Sequence, residues 1–286
     1  SSLSEFNANN ILLTGGEPLL HANFTGLVST LENYSIAPKI VTNGILLSYN
    51  IASRIKPLTD RISISLDGDR SAHTAIRRNT RAFQGVVSAV KICQDLGIAI
   101  SIITSLFKDN VDQIDWVVDF CLNHSIKNLR IQPVFAVGRG RELKNCGRLL
   151  QQDDLLLLYN KLIHLSAKHI GMLEIKTKGR LRSEIECHGC LFGLHFGIQC
   201  HRGNAPWPMN IIIDTDGNMF PHSQFVRNEF IIGNIQFGLK KTLTTYFGSS
   251  SHIRFLHCLR EGYKEKVQFC SDLFVDQDSI LMDILG

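Results

Sequence analysis

The residues best suited to chemistry are Gly15-Gly16-Glu17-Pro18, which follow a short apolar run, Ile11-Leu12-Leu13. Two adjacent glycines just past a strand let the backbone approach a ligand closely. Glu17 offers a carboxylate to whatever lies there, and Pro18 fixes the exit of the turn. An ordinary strand-to-loop turn would use Gly-Gly as well, so the weight falls on the whole string. A second candidate lies far along the chain. Cys187-His188-Gly189-Cys190 is a C-x-x-C pair, the right bite for one tetrahedral metal, with Cys200 or His201 to complete it. Five of the eight cysteines lie between Cys187 and Cys270. Cys93 and Cys121 fall within helical apolar patterns and read as buried core residues.

The elements that must hold the first string alternate in type. Short apolar runs predict strands over 11–14, 39–42, 61–66, 98–104 and 128–133. Amphipathic stretches predict helices over 24–34, 52–56, 82–96 and 111–124. Strands separated by such helices argue for repeated βα units and a parallel sheet. Each candidate residue then falls just past a strand's C-terminal end, the rim where ligands bind in such barrels. A long helix is expected over 153–169, opened by acidic residues that suit its N-terminal dipole, with His164 and His169 on its solvent side. From Lys176 onward the chain turns rich in Cys, His and Gly, which sets a boundary between domains 1–175 and 176–286. Residues 210–214 and 218–220 read as a β-hairpin about Asp216-Gly217.

Composition narrows the class. The 286 residues are 44% hydrophobic and 20% charged, as expected of a packed globular core. A net charge of +4 is too balanced to argue for nucleic acid. No apolar run approaches a membrane span, and no signal peptide pattern opens the chain. Eight cysteines in a chain of this size suit a reducing, cytoplasmic setting.

Several strings together resemble the radical S-adenosylmethionine (SAM) superfamily. Gly15 to Pro18 resemble its GGEP motif. Val41-Thr42-Asn43-Gly44 ends the next strand, and Ser65-Leu66-Asp67-Gly68 resembles its SxDG strand end. His73 and Arg77 follow as in HDxxR, with Thr74 where many members have Asp. Pro133 and Gly138-Arg139-Gly140 resemble a later "GR" stretch. The resemblance implies that Gly15, Gly16 and Glu17 hold the SAM amino group. Ser65 and Asp67 would lie near the ribose, Arg77 would pair with the SAM carboxylate, and Asn43 and Thr104 would be rim positions. It implies an α/β fold, a (β/α)6 partial TIM barrel. In that family a four-iron, four-sulfur cluster (4Fe-4S), held by CxxxCxxC, reduces SAM to a 5′-deoxyadenosyl radical that abstracts a substrate hydrogen. This chain contains no CxxxCxxC. The expectation is therefore an N-terminally incomplete barrel lacking its first strand and cluster loop. The alternative is a catalytically silent relative that binds a peptide or a partner protein.

The second part resembles a SPASM or twitch extension, through Cys200, Asp216-Gly217 and Gly233-Asn234-Ile235. Where that pattern expects a Cys after Gly217, this chain has His222. The resemblance implies a small α+β domain and points to peptide or protein substrates modified by an oxidoreductase maturase. Three readings of its ligands stay open: an auxiliary iron–sulfur site on Cys200, His222, Cys258 and Cys270; a zinc or cluster knuckle on Cys187 and Cys190; or no metal.

Overall fold

Isoleucine and valine at alternate positions build a parallel sheet with helical crossovers. The computed structural model describes residues 11–59, 61–136, 140–177, 180–181, 190–191, 194–195, 211–221, 228–263 and 274–275. The chain begins with β1 (Ile11–Leu13), α1 (Phe24–Asn33), β2 (Pro38–Thr42) and α2 (Tyr49–Ile55). It continues through β3 (Arg61–Ser65), α3 (Arg70–Arg77), α4 (Ala82–Leu96) and β4 (Ala99–Leu106). Then come α5 (Ile114–Asn123), β5 (Asn128–Pro133), α6 (Gly140–Asn145), α7 (Gln152–Lys168) and β6 (Glu174–Thr177). The strands form one six-stranded sheet in the order β1-β2-β3-β4-β5-β6, every pair parallel. This is the α/β architecture of a partial TIM barrel.

The sheet is held by its apolar faces. Ile40, Ile62, Ile64, Ile102, Leu129 and Ile131 are buried. Five consecutive residues in the middle of β4 are buried, as expected of a strand covered on both faces. Helix ends carry local signals. Ser48 caps α2 by accepting from Ile51 N, and Asp69 caps α3 by accepting from Ala72 N at 2.8 Å. Gly97 ends α4 in the left-handed conformation (φ +67°).

Two expectations change. The sheet has a sixth strand, β6, which the sequence reading did not place. The chain divides into a unit of Asn7–Val134 with Arg148–Thr177, and a second that includes Phe135–Gly147 and Lys178–Gly286. His169 is buried rather than on the solvent side. It is the C-cap of α7, and its carbonyl accepts from Met172 N and Leu173 N as the chain turns into β6.

The second unit holds short antiparallel pairs. β7 is Arg180–Leu181, and β8 (Cys190–Leu191) pairs with β9 (Leu194–His195). β10 (Ile212–Ile213), β11 (Asn218–Phe220) and β12 (Gly233–Asn234) form a three-stranded sheet. Its β10–β11 hairpin turns at Gly217, where Asp214 Oδ1 accepts from Asp216 N and Asn218 N. α8 (Leu239–Tyr246) closes a small core of Met219, Ile232, Leu239, Leu243 and Tyr246. α9 (Ser250–Tyr263) follows, and β13 (Phe274–Val275) pairs with β7.

Candidate SAM-binding rim

The site is built where β1, β2, β3 and β4 end. Glu17 leaves β1 as the cap of a 3-10 turn over Pro18–Leu20, with its own Oε1 accepting from Leu19 N at 3.2 Å. The same oxygen accepts from Thr42 Oγ1 at 2.7 Å, and Oε2 accepts from Asn43 N at 2.7 Å. Thr42 Oγ1 in turn accepts from Gly44 N, and Asn43 Oδ1 from Ile45 N. One half-buried carboxylate thus stitches the loop after β1 to the loop after β2. A carboxylate has about four acceptor positions, and three are used, so Oε2 keeps one. Beside it, Gly15 (φ +133°) and Gly16 are exposed, and among the described residues a Cβ on either would meet nothing within 4 Å. The arrangement is an anchored carboxylate with a spare acceptor next to open backbone.

At the ends of β3 and β4 the side chains turn inward. Asp67 is fully buried. Its Oδ1 accepts from Ser105 N at 3.0 Å and its Oδ2 from Arg77 Nε at 2.6 Å. His73 Nδ1 accepts from Asp67 N at 3.0 Å and lies 3.5 Å from Oδ2. Burial pushes the Asp67 carboxyl up, but His73, the Arg77 charge and bond and the Ser105 amide outweigh it, so the carboxyl sits below its ordinary value. Asn110, also fully buried, donates to the carbonyls of Asp67 and Ser105 and accepts from Phe107 N. Thr104 Oγ1 donates to Leu66 O at 2.7 Å.

Three of the expected ligand residues bond to the protein itself. Asp67, expected near a ribose, has no exposed surface and ties β3 to β4 and α3. Arg77, expected on a ligand carboxylate, pairs with Asp67, with 32% of its side chain exposed. Thr104, expected on the rim, is buried against the neighbouring strand's carbonyl. Ser65 and Asn43 remain half-buried at the strand ends. Sequence reasoning missed Asn110 and Ser105, whose bonds are long-range; Thr42, within the noted Val41-Thr42-Asn43-Gly44 string, was the readable partner of Glu17.

Cys93 and Cys121 are core residues, and burial pushes both thiols to about 12. Of the expected metal residues, Cys187, Cys200, His222 and Cys270 lie outside the described residues, as do Gly138 and Arg139. Cys258 is half-buried, and burial followed by the charge of Glu229 raises its thiol. Among the described residues no three His, Cys, Asp or Glu side chains gather as a metal site. The backbone of Cys190 is placed, directly opposite His195. No helix among the described residues is long and apolar enough to cross a membrane.

A family model described as the Radical SAM superfamily matches residues 2–121. Fe-coproporphyrin III synthase of Methanosarcina barkeri is 26% identical over 57% of this chain and 42% of its own length. A cysteine-type anaerobic sulfatase-maturating enzyme of Clostridium novyi is 25% identical over 82% of this chain and 63% of its own. Each match therefore spans less than two thirds of the relative. Among solved structures, Streptococcus suis SuiB bound to S-adenosylmethionine aligns with TM-score 0.66 at 18% identity, covering 87% of this chain and 59% of SuiB. SuiB bound to its precursor peptide SuiA aligns with TM-score 0.67 at 18% identity, covering 98% and 68%. Residues 2–121, less than half of the chain, are similar to the radical SAM superfamily, and the chain shares the fold of the SuiB structures.

Proposed function

We propose that this chain forms the SAM-binding body of a radical SAM enzyme that modifies a peptide or protein. The observation that carries the reading is Glu17: half-buried, anchored on Thr42 and Asn43, and left with one free acceptor beside the open Gly15-Gly16 backbone. An ammonium needs such acceptors, and a bond to a carboxylate is of the strong, charge-assisted kind. The residues fit the amino end of SAM. Thr42 and Asn43 hold the carboxylate still, so binding need not order it. Asp67, His73 and Arg77 stiffen the neighbouring rim.

They do not fit the reducing cluster. The chain contains no CxxxCxxC, and no ligand group gathers among the described residues. Bound SAM supplies the radical chemistry of the superfamily, and no step of it is routed through residues of this chain. A peptide or protein substrate is supported by coverage. The sulfatase-maturating relative matches 82% of the chain, whereas the porphyrin enzyme matches 57%. SuiB, whose structure with a precursor peptide aligns over 98% of the chain, points the same way.

The test is anaerobic calorimetry of SAM binding to the protein as its host makes it. Glu17→Gln is expected to weaken binding about 10-fold or more, the loss of one hydrogen bond to a charged group. Thermal melting of the variant controls for its Thr42 and Asn43 bonds. A folded Glu17→Gln protein with unchanged SAM affinity would overturn the reading.

A further inference from the structure

We propose that the corner between α3 and α4 docks an acidic segment of the peptide or protein substrate, gripped by Arg70, Arg78 and Arg81. The inference rests on the peptide reading above and names the kind of peptide the rim takes. Between Asp69 and Asp95 the chain carries five basic residues and no acidic one. Four of the five, Arg70, Arg77, Arg78 and Arg81, lie on α3 or on the turn into α4. Arg77 is committed to Asp67. Arg70, Arg78 and Arg81 are exposed, and among the described residues no carboxylate pairs with them. The Arg70 guanidinium lies 4.9 Å over the ring of Phe83, in the first turn of α4, which draws it towards the same corner. Asp69, the acidic neighbour, caps α3.

Backbone and position both single this corner out. Arg78 ends α3 in the left-handed conformation (φ +50°, ψ +40°), where glycine costs least. The turn itself therefore gives no reason for an arginine. The corner also adjoins the candidate SAM rim. α4 ends just before β4 begins, so its first turn lies at the opposite end of the sheet, where the strands finish. Near that first turn Gly85 packs so closely on the loop after β2 that a Cβ would come 2.9 Å from Ile45 Cα. Ile45 N donates to Asn43 Oδ1, and Asn43 N donates to Glu17. Arg81 sits one turn before Gly85 and accepts its N–H. Free guanidiniums beside the rim suit carboxylates, which they grip through charge-assisted and bidentate bonds.

The test is fluorescence anisotropy of the full chain with a fluorescein-labelled peptide of alternating Glu and Gly. That peptide is expected to bind, its Gln-Gly counterpart is not, and added salt should weaken the binding. Arg78→Gly combined with Arg81→Ala should weaken it about 10-fold, each exposed contact supplying up to about 5-fold. Arg78→Gly alone should melt no lower than wild type, because glycine suits the left-handed turn, so its loss of binding is not a loss of fold. Lys240→Ala with Lys241→Ala removes the same charge from exposed positions of the second unit and should leave binding unchanged. SAM calorimetry on the same preparations keeps the two readings apart. The arginine variants should bind SAM as wild type does, whereas the SAM reading stands or falls on Glu17→Gln. No binding of the Glu peptide, an equal loss in the lysine variant, or arginine variants that lose SAM affinity would each overturn the assignment.

Discussion

Two carboxylates near the strand ends behave oppositely because their surroundings differ. Glu17 is half-buried beside open backbone, whereas Asp67 is sealed, with each of its oxygens bonded to the protein. Asp67 therefore belongs to stability. Its folded pKa lies below the ordinary 3.8, so its contribution is complete above that pH and fades as pH falls through the lowered value. Asp67→Asn is expected to lower stability by about 2 kcal/mol at pH 7, the scale of a hydrogen bond to a charged group. That is below the cost of breaking a fully buried ion pair, because Arg77 reaches solvent and stays partly solvated once alone. Urea titrations from pH 7 to pH 3 should show the gap between variant and wild type closing on the acid side. A gap that widens there would refute this account.

At the scale of elements, close approach decides more than propensity does. Gly85 lies inside α4, where a Cβ would come 2.9 Å from Ile45 Cα in the loop after β2. Gly26 lies inside α1, where a Cβ would collide with Asn23 Oδ1. The second clash is shorter, yet its partner is the end of a side chain that can swing away, while the first meets backbone. Alanine favours a helix by about 1 kcal/mol over glycine, and overpacking costs about 1 to 3 kcal/mol. Gly85→Ala should thus lower the urea midpoint and Gly26→Ala should not. A Gly85→Ala protein as stable as wild type would show that the loop after β2 yields.

What the sequence made legible follows the same physics. The rim was readable because Gly15-Gly16-Glu17 and Val41-Thr42-Asn43-Gly44 each end an apolar run that pairs into the sheet. β6 was not, because Glu174-Ile175-Lys176-Thr177 has one apolar side chain and exists by pairing with β5. α3 was missed as a helix because it is mostly polar, though Asp69 three residues before Ala72 is a capping signal. The partners of Asp67 were out of reach, since nothing local says that Arg77 folds back on it or that Ser105 arrives from the next strand.

For the whole molecule, the two tryptophans report on separate units. Trp116 lies on α5 in the barrel unit, stacked on Phe120 at 5.5 Å and tilted against Phe83 at 6.0 Å. Trp207, the second of the chain's two, belongs to the other unit by sequence. With Trp207→Phe the fluorescence melt follows the barrel, and with Trp116→Phe it follows the cysteine-bearing unit. SAM at about 100 times its dissociation constant adds about 2.7 kcal/mol to the state that binds it. For a unit of this size that raises the midpoint by roughly 5 to 10 °C. The Trp116 transition should therefore rise with SAM by that amount. SAM that shifts only the Trp207 transition would place the ligand in the other unit and refute the assignment to the barrel rim.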